Sequence, residues 1–151
     1  MSWELMYPAR PWLLNEERAG GQRGVGGHRG RARLTREWRD AFSQRALHQH
    51  IPALESIVVE VFPICRDRRR SDVGNVYPAA KAAIDGLVDA GVIPDDNDRY
   101  VEAITFRPSL ILGHAGLRLV VTGEPCSREE RDARERAYRQ KLIDNYTYNV
   151  R

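Results

Sequence analysis

Apolar and polar residues alternate from Ser2 to Tyr7, with Trp3, Leu5 and Tyr7 set against Glu4 and Met6, which predicts a short strand closed by Pro8 and Pro11. Glu55 to Ile64 contains Ile57, Val58, Val59, Val61 and Phe62, a β-branched run suited to a well-buried strand. Two further strands are predicted, over Arg99 to Phe106 and, past the turn Gly113-His-Ala-Gly116, over Leu117 to Thr122. These two are expected to pair as antiparallel neighbours.

Helical spacing predicts three helices. The first runs from Arg36 to Gln49, capped by Thr35, with Trp38, Ala41, Phe42, Arg45 and Ala46 on a mixed face and Pro52 beyond its end. The second runs from about Val76 to Ala90: Asn75 can cap it, Pro78 sits in the first turn where its missing N–H costs nothing, and Gly91 suits a left-handed terminator. Its apolar residues Val76, Ala80, Ala83, Ile84, Leu87 and Val88 face a core, while Lys81, Asp85 and Asp89 fall four apart on another face. Ser127-Arg-Glu-Glu130 is a capping box that opens a charged helix over 127–145, laced by i,i+4 pairs such as Glu130 with Arg134 and carrying a thin stripe of Ala133, Ala137, Tyr138 and Leu142.

Between the first strand and the first helix, residues 18–33 hold Gly20, Gly21, Gly24, Gly26, Gly27 and Gly30, can bury almost nothing, and read as a flexible basic arm. With 151 residues, 42% apolar and 30% charged, the whole chain 1–151 is expected to form one α+β domain, a small mixed or antiparallel sheet with helices packed on it.

Charge changes the picture through its placement. The formal net charge is only +3, yet six arginines and no acid lie between Arg18 and Arg36, and Arg66, Arg68, Arg69 and Arg70 crowd into five residues. Such blocks suit polyanions, so Arg29, Arg31 and Arg33 in the arm and Arg66, Arg68, Arg69 and Arg70 are candidate nucleic-acid contacts. Of the 24 basic residues all but Lys81 and Lys141 are arginine, which draws attention to Lys81. Cys65 and Cys126 are single cysteines, which argues against a disulfide scaffold or a zinc site and fits a reducing cytoplasm. No apolar run is long enough for a membrane span, so a soluble protein is expected. His28, His48, His50 and His114 are scattered without metal-ligand spacing and read as surface residues, and Gly24-Val-Gly-Gly27 lacks the strand and the Gly-Lys-Ser/Thr of a phosphate-binding loop.

The second helix is bracketed by acids, Asp72 before it and Asp95 and Asp96 after it. If the chain returns about 20 Å alongside the helix, these ends meet. Two carboxylates about 4 Å apart repel by roughly 4 kcal/mol at an effective dielectric near 20, so they must then share a proton or a cation. An all-oxygen set selects Mg²⁺, or Mn²⁺, and Lys81 could add a positive charge against a phosphate oxygen. The plain readings are a helix-dipole charge at Asp72, an exposed Lys81–Asp85 pair, and a Pro-Asp-Asp-Asn turn.

Taken in order, Asp72-x-x-Asn75, Lys81-Ala-Ala-Ile-Asp85-Gly-Leu and Ala90-Gly-Val-Ile-Pro-Asp95-Asp96 resemble the signature of the RusA-type Holliday-junction resolvases, in particular the phage-encoded branch. The resemblance covers about Val58 to Phe106. It implies a small α+β fold, an intertwined homodimer, and Mg²⁺-dependent paired nicking of four-way DNA junctions in recombination and repair. Asp72 matches the first metal-binding aspartate, Asp96 the later essential one with Asp95 its neighbour, and Lys81 the active-site lysine, so Asp72, Lys81 and Asp96 are the implied catalytic residues. The family pattern is Asp-x-Asp-Asn, and here Gly74 stands where the second aspartate belongs, with extra residues including Pro78 before Lys81. A non-catalytic protein that binds branched DNA through a degenerate metal site is the alternative.

Overall fold

The structure is a computed structural model describing residues 1–14, 28–68 and 72–149. Among them the order is β1 (Ser2–Tyr7), α1 (His28–His48), β2 (Ile57–Cys65), a 3₁₀ turn (Val73–Val76) leading into α2 (Tyr77–Asp89), β3 (Val101–Phe106), β4 (Leu110–Ile111), β5 (Gly116–Thr122) and α3 (Arg128–Asn149). The strands make one mixed five-stranded sheet of order β1-β5-β2-β3, with β4 also on β2.

β2 takes the centre because it is the most continuously apolar strand, and both of its edges are paired. β5 lies antiparallel on one side, with Val59 opposite Val121 and Val61 opposite Leu119. β3 lies parallel on the other, with Val59 opposite Ile104 and Val61 opposite Phe106. The expected pairing of 99–106 with 117–122 is therefore corrected: β2 separates the two strands. A parallel neighbour requires a crossover, which α2 supplies, and β3, none of whose residues is fully buried, suits a sheet edge. β4 continues the same edge, Ile64 facing Leu110, so that β3 and β4 are one strand broken at Arg107–Ser109.

One core joins the inward residues of the sheet, Leu5, Val59, Val61, Leu119 and Val121, to Trp38, Phe42 and Ala46 of α1 and Ala79, Ala83, Ile84 and Leu87 of α2. Trp38 is the hub of its aromatic part, edge-on to Tyr7 and Trp12 and stacked with Phe42. Gly86 lets the helices touch, since a Cβ there would stand 2.4 Å from the Arg39 carbonyl oxygen and 2.9 Å from the Ser43 nitrogen.

α1 begins earlier than its predicted cap at Thr35. His28 to Arg33 are helical rather than part of a loose arm, because Leu34 packs against the core and arginine and alanine favour a helix enough to carry Gly30. The rest of the predicted arm, residues 18–27, lies outside the described residues. α3 opens on the predicted capping box, the Glu130 N–H donating to Ser127 Oγ at 3.1 Å and the Ser127 N–H to Glu130 Oε2 at 2.8 Å. Its first three turns touch the domain: Arg131 donates to the Val92 carbonyl, Glu135 accepts from Tyr100 Oη and Arg99, and Tyr138 lies against the Arg99 guanidinium. No helix among the described residues is long and apolar enough to cross a membrane.

Candidate functional site

β2, α2 and β3 form a β-α-β unit, and the acids singled out in the sequence sit on its connections. The 3₁₀ turn after β2 starts at Asp72, which is extended at φ −75°, ψ 127° and accepts the Asn75 N–H through its carbonyl at 3.0 Å. Its carboxylate caps nothing and is exposed. Asn75, the predicted cap, lies inside the 3₁₀ turn, and Val76 takes the N-cap position of α2.

The far end of α2 decides the site. Gly91 adopts φ 78°, the Val92 N–H returns to the Leu87 carbonyl and the Gly91 N–H to the Val88 carbonyl, each at 3.0 Å, which is a Schellman stop. Val92 and Leu87, both fully buried, close the apolar contact that goes with it. Val92 and Ile93 thus pin the chain against the core as it reverses, and Asp96 comes to rest on Lys81, eight residues upstream of the last residue of α2.

Lys81 Nζ lies 2.7 Å from Asp85 Oδ1 and donates also to Asp96 Oδ2, so one ammonium bridges two carboxylates. The side chains are partly sheltered, 42% exposed for Lys81, 21% for Asp85 and 28% for Asp96. Burial pulls the Lys81 ammonium towards the neutral form, but the hydrogen bonds to Asp85 and Asp96 outweigh it and its pKa rises. The bond from Lys81 holds the Asp96 carboxyl below the usual carboxylate range, against a smaller effect of burial. Asp95 is committed to the turn, accepting the Asp96 N–H at 2.9 Å and Asn97 Nδ2 at 2.8 Å.

Of the sequence-predicted residues, the structure joins Lys81 with Asp96 and sets Asp95 beside them, and Asp72 makes no hydrogen bond or ion pair through its carboxylate among the described residues. The plain i,i+4 pair of Lys81 with Asp85 expected from the sequence forms, and it brings Asp85, which is not among the predicted site residues, into the same cluster. The donor chemistry of Asp72, Asp95 and Asp96 suits a hard cation. As arranged, however, no three metal-capable side chains converge among the described residues.

The arginines divide. Arg66 and Arg68 are exposed just past β2, while Arg69 and Arg70 lie outside the described residues. In α1 the helical period puts Arg29, Arg33 and Arg36 on one exposed face and turns Arg31 away, partly buried. Gly74, where the resembled pattern has an aspartate, has open space: a Cβ there meets nothing within 4 Å. In comparison with known proteins, the chain matches no family model and no curated protein.

Proposed function

We propose that the chain is a structure-selective endodeoxyribonuclease that cuts branched DNA, resolving four-way junctions by paired nicks as a homodimer in recombination and repair. The observation that carries this reading is the seating of Asp96 on Lys81 across the end of α2, which assembles two of the three candidate catalytic residues from segments fifteen residues apart. Two symmetric cuts require two sites related by a twofold axis, hence the dimer.

The chemistry available to the chain's own groups is electrostatic. Lys81 offers a positive charge to a phosphate oxygen, and Asp85 and Asp96 hold that ammonium in place. Arg66 and Arg68, with the α1 face of Arg29 and Arg33, would track the DNA backbone. Dependence on Mg²⁺, with Mn²⁺ as a substitute, belongs to the proposal because the candidate donors Asp72, Asp95 and Asp96 are all oxygen. The work is assigned to the cytoplasm, where two unpaired cysteines persist.

A second reading has its own support: Gly74 in place of a carboxylate, and the lack of a converged three-ligand set among the described residues, favour a protein that binds branched DNA without cutting it. Incubating labelled four-way junction, linear duplex and splayed-arm DNA with and without Mg²⁺ separates the two. Mg²⁺-stimulated nicking of the junction that Asp96→Asn abolishes, with binding in Ca²⁺ retained, supports the nuclease; undiminished nicking by Asp96→Asn defeats it.

A further inference from the structure

At the carboxyl end of β2 the surface opens into a cavity of about 390 Å³. Pro11, Pro63 and Val76 give it apolar walls, and Arg10, Arg66 and Asp67 supply its polar groups. Val76 is the last residue of the 3₁₀ turn that begins beside Asp72, so the cavity and that carboxylate share one end of the β-α-β unit. The carboxyl ends of parallel strands are where α/β units admit ligands. A volume in the lower part of the roughly 300–1,000 Å³ range of small-molecule sites admits one flat heterocycle and excludes a duplex.

The lining fits a nucleobase better than other small ligands. Proline rings and a valine offer flat apolar contact to a π face, and the exposed Arg66 guanidinium addresses carbonyl and ring-nitrogen acceptors on a base edge. Branched DNA supplies such a base cheaply, because a nucleotide at a crossover has already lost part of its stacking. We propose that this cavity receives a nucleobase unstacked at the branch point, which anchors the strand beside Asp72 and lets the protein distinguish a branch from linear duplex. The inference rests on the branched-DNA reading above.

Two thiols make it testable. Cys65 lines this cavity, whereas Cys126 lines a different one at the amino end of β2, with Glu55 and Ser56. Cys126→Ser leaves Cys65 as the sole thiol, and Cys65→Ser leaves Cys126. Each variant is bound to four-way junction in Ca²⁺, with occupancy read by mobility shift, and its reaction with an aromatic disulfide reagent is timed. The expected result is that intact junction slows Cys65 by about tenfold or more, the factor of roughly 1.4 kcal/mol, and leaves Cys126 within about twofold. A junction abasic at the crossover nucleotides should bind yet leave Cys65 near its free rate. Bound intact junction with Cys65 at its free rate, or equal protection by the abasic junction, overturns the cavity assignment alone. Failure to bind any junction overturns it together with the branched-DNA reading, while protection without Mg²⁺-dependent nicking supports the cavity and removes only the enzyme.

Discussion

Lys81 and Asp96 are ion-paired although they stand fifteen residues apart in sequence, with the whole second half of α2 between them. The pair exists because Gly91 reverses the chain and Val92 and Ile93, both fully buried, hold the returning segment on the helix. A local backbone event at a helix end therefore sets the electrostatics in its second turn.

The pair makes stability depend on pH in a definite direction. The folded Asp96 carboxyl titrates below its unfolded value of 3.8, so its contribution is present above that value and lost as pH falls through the lower, folded pKa. Lys81 is shifted upward, so its contribution is complete below 10.5 and lost as pH rises through its folded pKa. Because the lysine is more than a third exposed, Asp96→Asn should cost only about 0.5–1 kcal/mol near neutral pH. Urea unfolding of both proteins from about pH 9 down into acid checks this; the gap should hold above 3.8 and narrow as pH falls further, and a gap that does not narrow at all below 3.8 would assign the effect to something other than charge.

Gly86→Ala tests the contact between helices. Alanine improves helix propensity by about 0.8–1 kcal/mol, but its Cβ would stand 2.4 Å from the Arg39 carbonyl oxygen and 2.9 Å from the Ser43 nitrogen, backbone atoms that cannot swing aside. Overpacking of this kind costs about 1–3 kcal/mol, and the clash should win. A lower midpoint in thermal or urea unfolding is expected, and an unchanged or higher one would mean that α1 and α2 are further apart than described.

How much of this was legible beforehand follows the range of the interactions. β1 was read from alternation alone and runs over the same residues in the structure, Ser2–Tyr7, and the capping box of α3 is local and forms as read. The order of strands was not legible, because nothing within 99–106 or 117–122 records that β2 will lie between them. The start of α1 was obscured by composition: glycine and arginine suggest a loop, and only the packing of Leu34 on a distant core turns the balance. At the site, Lys81, Asp85 and Gly91 were visible as a helix and its stop, whereas the direction of the reversal, and so the partner of Lys81, is a tertiary property.

α3 should divide into a part that matters to the domain and a part that does not. Tyr100 is 6% exposed and its hydroxyl donates to Glu135, which also takes Arg99 at 2.7 Å, and the Arg99 guanidinium lies 4.0 Å from the centre of the Tyr138 ring. Burial first, and then Glu135, raise the Tyr100 pKa. Glu135→Ala strands that hydroxyl and should lower the melting midpoint. Leu142, Ile143 and Tyr146 are 51%, 58% and 74% exposed, so ending the chain after Lys141 should change stability by less than about 0.5 kcal/mol. Thermal melts of the two variants check the division; a large loss on truncation would show that the distal turns pack on the domain.

Gly74 offers a test that loss of function cannot give. If the site cleaves DNA with one carboxylate fewer than the resembled pattern, restoring that carboxylate should strengthen it, and the position allows the change: its φ is not left-handed and an added Cβ meets nothing within 4 Å. Gly74→Asp is also a small backbone gain, since aspartate loses less conformational freedom than glycine. On the nuclease reading, the variant should nick four-way junctions at lower Mg²⁺ than the parent, by about tenfold or more, the low end of what a metal-site partner contributes. On the binding-only reading, the new charge next to exposed Asp72 repels phosphate and weakens junction binding, with no turnover gained. The sign of the change in Mg²⁺-dependent nicking, measured beside junction affinity in Ca²⁺, distinguishes a working site that tolerates the glycine from one that has ceased to cut.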